Sequence, residues 1–314
     1  MTITLLLSVF TFVQLNGENL FDTLPDTILQ DSVYTPSSER RWTRGRYWKK
    51  LDAIGRAVIS CGGDTAAWSL PDMVALCEVE NDSVMRDLTR RSLLRRAGYE
   101  YVMTSSPDRR GIDVALMYSP ASFAMIRHYP LRVTPLKDMR PTRDILYACG
   151  VMADGDTLHV FVVHAPSRYG GERRTRDHRL QVMRRLRLSV DSLRAVHDEP
   201  LIIVAGDMND YAGSPSLVFL RDSCALTDVS ADARGSHGAK GTYKYNGVWG
   251  SLDHILVSGS MTGRVAGCRV GDAPFLLEPD KKYGGVKPFR TYNGYRYQGG
   301  YSDHLPLILR LGTE

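Results

Sequence analysis

Cysteine is scarce and shows no paired pattern. The five residues Cys61, Cys77, Cys149, Cys224 and Cys268 are odd in number, widely scattered and free of any CxxC spacing. Neither a zinc cluster nor a disulfide framework follows from such spacing, so the thiols read as small buried hydrophobes. No run of eighteen or more apolar residues occurs, which excludes an ordinary transmembrane helix. Internal repeats and low-complexity tracts are also missing. So is a Gly-x-Ser-x-Gly elbow, which leaves serine chemistry unsupported.

What is present is enough for a large core: 314 residues, 43% of them hydrophobic. The expectation is one α/β domain over residues 9–311, preceded by an apolar segment, residues 1–8. That segment is either part of the first strand or the remnant of a signal segment. Ile3 to Val13 is apolar enough for a signal core, but no basic leader precedes it. Removing it would also delete a strand that presents Asn16, so an unprocessed core strand is the favoured reading. The compartment stays open, with cytoplasm placed ahead of a secreted or envelope location. Net charge is +5 and the isoelectric point near 8.9, a balance that suits polyanionic substrates. Arginine outnumbers lysine, which would serve bidentate phosphate contacts, although genomic base composition is the plainer explanation.

Hydrophobic periodicity supplies the elements. Val9 to Leu15 reads as a buried strand ending in a polar elbow. Trp48, Leu51, Ile54, Ala57 and Val58 recur at helical spacing over about Arg46 to Ser60, and Gly62 and Gly63 stop that helix. A short strand from Met73 to Cys77 closes on Glu78, and a helix follows over Ser83 to Ala97. Strands are expected at Tyr99–Thr104, Ile112–Tyr118, Phe123–Val133, Ile145–Met152 and Thr157–Val163, the last two joined by a turn at Asp154-Gly155. A basic amphipathic helix spans about Arg176 to Val196, with its arginines read as a solvated face. Leu201–Ala205, Leu252–Val257 and Leu305–Leu311 complete the strands, and Pro274–Gly300 is a long surface loop or hairpin. The mixture of hairpins, strands and interspersed helices argues against a regular βαβ wheel and for a mixed sheet pair with helices outside.

Acids, amides and imidazoles recur at the ends of the predicted strands: Asn16, Glu78, His164, Asp207 with Asn209, Asp253, and Asp303 with His304. One such residue is usually a turn or cap. Six such sites are harder to dismiss, because strand ends converge on one sheet edge, where α/β folds build sites. Phosphate-ester hydrolysis needs a cation to neutralise the phosphoryl oxygens, an oriented water and stabilisation of the leaving oxygen. Glu78, Asn16 and Asp303 offer the oxygen ligands that Mg²⁺ prefers. Asp253 with His304 offers a carboxylate–imidazole pair.

The segments Asn16-Gly17-Glu18-Asn19, Cys77-Glu78, His164, Gly206-Asp207-Met208-Asn209, Ser251-Leu252-Asp253-His254 and Ser302-Asp303-His304 resemble, in order and spacing, the motifs of the endonuclease/exonuclease/phosphatase superfamily. The resemblance implies a four-layer α/β sandwich of two mixed sheets flanked by helices, as in deoxyribonucleases, and a Mg²⁺-dependent phosphoesterase in which Mn²⁺ can substitute. It also implies roles. Glu78 is the principal metal ligand, helped by Asn16 and Asp303. Asp207 activates the attacking water, with Asn209 orienting the water or the phosphate. His304, held by Asp253, binds the scissile phosphate, and His164 acts from the opposite side. Glu18 supports the ligands, and Arg143 stands where relatives hold a phosphate-contacting arginine.

Departures from the family pattern are local. Leu15 and Gly17 flank Asn16 where an aromatic and a branched residue are common, and Met208 replaces a usual Phe. His164-Ala165-Pro166-Ser167 replaces the more usual Asn-His pair, which puts one phosphate or water contact in doubt. His128, His159, His178, His197 and His237 match no motif and read as structural. Tyr243, Tyr245 and Trp249 either pack beneath the site or stack on a base or sugar, with packing favoured for Trp249. Lys287 to Tyr292 forms a substrate rim or a lid. Three functions stand: a nuclease or phosphodiesterase acting on nucleic acid; the same chemistry on lipid, inositol or sugar phosphates; and, least favoured, a catalytically dead binding module. A monomer without a stable protein partner is expected.

Overall fold

The computed structural model describes residues 9–25, 32–63 and 68–312. Residues 1–8, and with them most of the apolar N-terminal segment, lie outside these. Strand β1 (Val9–Leu20) is followed by helix α1 (Arg44–Ser60), which Thr43 caps by accepting from the Arg46 amide. Strand β2 (Met73–Val79) leads into helix α2 (Asp82–Arg90), capped by Asn81. The helix expected over Ser83–Ala97 breaks here. The Ser92 hydroxyl donates to Leu88 O and accepts from Leu94 N, so the chain restarts as a short 3₁₀ turn, Leu93–Arg96. Strands β3 (Glu100–Met103), β4 (Asp113–Tyr118), β5 (Phe123–Leu131), β6 (Ile145–Met152) and β7 (Thr157–His164) follow close to the expected bounds.

Helix α3 (Glu172–Arg194) begins a turn earlier than its apolar stripe suggests, and leads to β8 (Leu201–Asp207). Helix α4 (Pro215–Ser223) and the short strand β9 (Leu226–Asp228) come next. A hairpin of β10 (Tyr243–Tyr245) and β11 (Val248–Gly250) precedes β12 (Asp253–Ser258). Strand β13 (Val265–Val270) is an edge strand the periodicity does not reveal, because it is half-exposed and interrupted by Gly267. The stretch Pro274–Gly300 folds into two small hairpins, β14 (Leu277–Pro279) with β15 (Val286–Pro288), and β16 (Tyr292–Asn293) with β17 (Arg296–Tyr297). Strand β18 (Leu307–Gly312) closes the described chain.

Two six-stranded mixed sheets result, in the orders β13-β18-β1-β2-β4-β3 and β5-β6-β7-β8-β12-β9. Each contains one parallel pair, β1 with β2 and β7 with β8. The parallel pairs place two polar strand ends side by side at one edge of each sheet. The sheets face one another and helices cover their outer faces, giving four layers. Alternation explains why the central strands are apolar throughout. In β8, Ile203 and Ala205 join the core between the sheets, whereas Ile202 and Val204 join a second core beneath Val182, Met183, Leu186 and Val190 of α3. At about 25 cal/mol per Å² of apolar surface, such doubly covered strands carry much of the burial energy.

Strands β7 and β8 approach closely where they carry the site. Gly206 has φ +150°, and a Cβ there would stand 1.8 Å from Val163 O. No side chain fits. The expected outcome for Gly206→Ala is destabilisation by at least about 3 kcal/mol through steric overlap and backbone strain. Chemical denaturation of the purified variant checks it; a loss under about 1 kcal/mol would refute the packing argument.

Candidate active site

The polar residues predicted at strand ends meet where the inner strands of both sheets terminate. In the second sheet, Asp207 pairs in register with His164 on one side and with Asp253 on the other. In the first sheet, Asn16 is in register with Cys77, next to Glu78. The two ladders of β2 in the first sheet, with β1 and with β4, break at this point. Irregularities fall between Asn16 and Leu20 and between Cys77 and Val79, and Glu18, Asn19 and Glu78 adopt φ of 50°, 55° and 63°. Asn209 does likewise at 51°. The kinks turn side chains out of the strand alternation toward one another.

The centre is a buried arrangement of two carboxylates and two imidazoles. His304 Nδ1 lies 2.7 Å from Asp253 Oδ2, and its Nε2 stands 3.9 Å from Asp207 Oδ2. His164 Nε2 stands 3.7 Å from the same Asp207 oxygen and 3.9 Å from Glu78 Oε1. Asn16 reaches across the sheets, its Nδ2 donating to Asp207 Oδ2 at 3.0 Å. Asp207 Oδ1 accepts from the Asn209 amide, and Asn209 Nδ2 donates to Ala165 O. The Asp253–His304 pair rests on two residues that sequence reasoning missed. Gln14 Nε2 donates to Asp253 Oδ1 at 2.9 Å, and Thr242 Oγ1 donates to Asp253 Oδ2 at 2.5 Å. Gln14 had a legible signal, a lone amide in an apolar strand on the same face as Asn16; Thr242 had none.

Burial pushes the Asp207 carboxyl up to about 7, with His304 pulling down and Asp253 pushing up. Burial opposes a charge on His304, but Asp253 outweighs it and holds the imidazole well above its ordinary range. His164 goes the other way. Burial first, then the charges of Arg143 and Arg110, keep it neutral. One charged and one neutral imidazole therefore flank a carboxyl that exchanges its proton near neutrality, the division of labour acid–base chemistry requires.

The remaining predicted residues sit at the margins. Glu78 Oε2 accepts from the Asn19 amide at 2.8 Å, and Oε1 has Arg110 Nη2 at 3.5 Å, a cation the sequence did not single out. Asp303 is drawn to Arg290 Nη2 at 2.5 Å. Burial opposes its charge, while His304 and Arg290 hold the carboxyl below the usual range. Glu18 accepts from the Thr291 amide at 2.6 Å and has Lys50 Nζ at 3.6 Å, so the segment Lys287–Tyr292 is tethered to α1 and β1. Arg143 is 6% exposed. Its nitrogens donate to His164 O, Ala165 O and Asp108 Oδ2, so it braces the loop behind His164. Tyr243 lies 5.0 Å, ring to ring, from His304, Tyr245 is exposed, and Trp249 packs partly against the core.

The donor set suits a hard divalent cation at the Glu78 side. Glu78 Oε1 takes no backbone bond, and Asn16 Oδ1, bonded once by the Glu18 amide, keeps a second lone pair. Asp207, Asp253 and His304 also bring ligand-type atoms within 4.8 Å of one another. Both Asp253 oxygens are already occupied by Gln14, Thr242 and His304. Asp253 therefore offers a metal less than Glu78 does.

A buried ion pair supports the Asn209-Asp210 turn. His254 Nδ1 lies 2.8 Å from Asp228 Oδ2 and its Nε2 lies 2.9 Å from Asp210 O, while Arg179 Nε holds Asp210 Oδ2 at 2.8 Å. Burial works against both members of the first pair. Their mutual bond still raises His254 above 6.5 and lowers Asp228 below 3.8. A raised imidazole pKa stabilises the fold fully below the unfolded value and loses that contribution as pH rises through the folded value; the depressed carboxyl loses its own as pH falls. Asp228→Asn should therefore cost most between about pH 4 and 6.5, on the order of 3 kcal/mol, with the gap to wild type narrowing at higher pH. Urea unfolding at stepped pH measures it, and a pH-independent gap would contradict the pairing.

Residues 11–313 match the model of the Endonuclease/Exonuclease/phosphatase family. No curated protein sequence matches the chain. Among solved structures, it is similar to an endonuclease/exonuclease/phosphatase family protein from Bacteroides thetaiotaomicron, at 17% identity and TM-score 0.61, covering 98% of this chain and 99% of that one. The mannosyl-6-phosphatase of the same organism also gives 17% and 0.61, over 97% and 100%. The human Nocturnin catalytic domain gives 16% and 0.55, over 97% and 94%.

Proposed function

Because the chain belongs to the endonuclease/exonuclease/phosphatase family, a family of metal-dependent phosphoric-ester hydrolases, we propose that it is a Mg²⁺-dependent phosphodiesterase acting on nucleic acid, with Mn²⁺ able to substitute. The observation that carries the chemistry is the buried Asp207 carboxyl, with His304 Nε2 at 3.9 Å on one side and His164 Nε2 at 3.7 Å on the other. Asp207 takes a proton from the water that attacks phosphorus, while the P–O bond to the leaving group breaks on the far side. Asn16 and Asn209 fix the direction of that carboxyl through its two oxygens. His304, kept cationic by Asp253, donates to the phosphoryl oxygen as its negative charge grows. His164 offers a neutral imidazole from the opposite wall. Glu78 and Asn16 would hold the divalent cation, and Asp303 would join them on releasing Arg290. When bound, such a cation polarises the phosphoryl oxygens and lowers the pKa of water.

A strand-like substrate is favoured by the basic balance of the chain and by exposed rings at the rim, Tyr211 and Tyr245, which suit base stacking. A second reading, hydrolysis of a sugar, lipid or inositol phosphate, is supported by the likeness to the mannosyl-6-phosphatase. The chain is read as a monomer. A panel of oligonucleotides, a small diester and sugar-phosphate monoesters with Mg²⁺ separates these readings; turnover of monoesters alone would overturn the diesterase.

Two variants test the roles. Asp207→Asn should lower kcat by about a thousandfold with metal affinity nearly retained. Glu78→Ala should weaken metal activation instead, and equal metal affinity of wild type and Glu78→Ala by calorimetry would contradict its assignment as ligand.

A further inference from the structure

We infer that the arginine-lined cavity beside the site is a second phosphate subsite, which takes the neighbouring phosphodiester of a nucleic-acid strand. This rests on the phosphodiesterase reading above. The cavity, of about 410 Å³, lies between the loop following β3 (Asp108 to Arg110), the loop entering β6 (Asp138 to Arg143), the loop joining β7 to α3 (Pro166 to Gly170) and the first turns of α3 (Arg174 to His178). Two residues connect it to the site. Arg143 donates to His164 O on one wall, and Arg110 faces Glu78 on another.

Its charge is not balanced internally. Asp108 is matched by Arg143 at 2.8 Å, and Arg110 by Glu78. Arg109, Arg140 and Arg174 make no ion pair among the described residues, and Asp138 is the one further carboxylate on the lining. Guanidinium groups collected without partners repel one another, and the chemistry that relieves this is a multiply accepting anion such as phosphate. A second observation points the same way. Thr142 lines the cavity at 3% exposure, and its hydroxyl is buried without a hydrogen-bond partner. A phosphate oxygen would satisfy it once the side chains covering it part on binding.

Helix α3 starts at the same cavity from Gly171, without a side-chain cap. Glu172 in its first turn is already paired with Arg168 at 2.9 Å. A monoester carries a single phosphate, which the catalytic centre would occupy. A strand carries the next phosphate within one nucleotide, and so supplies an anion to both places at once.

Binding without turnover tests the subsite. In EDTA, a fluorescein-labelled oligothymidylate should bind Arg140→Ala/Arg174→Ala at least tenfold more weakly than wild type by anisotropy. Its log-affinity against log-salt slope should be shallower by about 1.4, roughly 0.7 for each lost contact. Equal affinity and slope would overturn the subsite, and so would a mononucleotide competing as tightly as the strand. Turnover of bis(p-nitrophenyl) phosphate with Mg²⁺ reports the phosphodiesterase reading separately. The double variant should lose at least tenfold more kcat/KM on the strand than on this small diester, and equal losses would count against the subsite. A wild type inert on both diesters removes the phosphodiesterase reading, while the binding comparison still decides the subsite.

Discussion

The structure is organised around a repulsion. Asp207 and Asp253 stand in register on adjacent strands, both buried, and two carboxylates so placed cannot both stay ionised without compensation. The compensation comes from everywhere in the chain: Gln14 and Asn16 from β1, Thr242 before β10, and His304 before β18. Two of these bonds cross from one sheet to the other. The same interactions that make the acid pair tolerable therefore also fix how the sheets sit on each other at this end. The core between the sheets is otherwise mainly apolar, tight in packing but unspecific in direction, apart from Arg264 beside β13, which pairs with Asp154 and Asp156 of the β6–β7 turn.

Much of the fold was legible because the central strands are covered on both faces, and continuous apolar runs such as Leu201–Ala205 leave few alternatives. What escaped was half-exposed or governed by turns. Strand β13 pairs along an edge with Gly267 inside it, so it shows no clean alternation. The β10–β11 hairpin did carry a signal, Asn246-Gly247 with both residues at positive φ, the pattern of a two-residue turn. Ser214-Pro215 likewise marked the start of α4.

The site was legible to a different degree. The pairing of Asp253 with His304 follows from motif order, and the atoms lie 2.7 Å apart. Charge partners were not legible. Arg110 beside Glu78, Arg290 on Asp303 and Lys50 near Glu18 come from loops or a helix whose sequence gives no distance to the strand ends. Arg143 was expected to face the phosphate, and its three bonds to His164 O, Ala165 O and Asp108 tie it behind the loop instead. A spacing pattern identifies which residues share an edge; it does not say which cation leans on which acid.

Four of the backbone angles around the pocket, at Glu18, Asn19, Glu78 and Asn209, lie in the left-handed region that residues with a Cβ resist. Each stores about 1 kcal/mol that the surrounding core must hold. Glycine at these places would relieve the chain, yet it would also remove a carboxylate or amide that the pocket uses and loosen the kink that aims its neighbours. Heat tolerance and readiness for reaction are thus opposed in the same four residues, and any hardening of this protein has to be sought away from them.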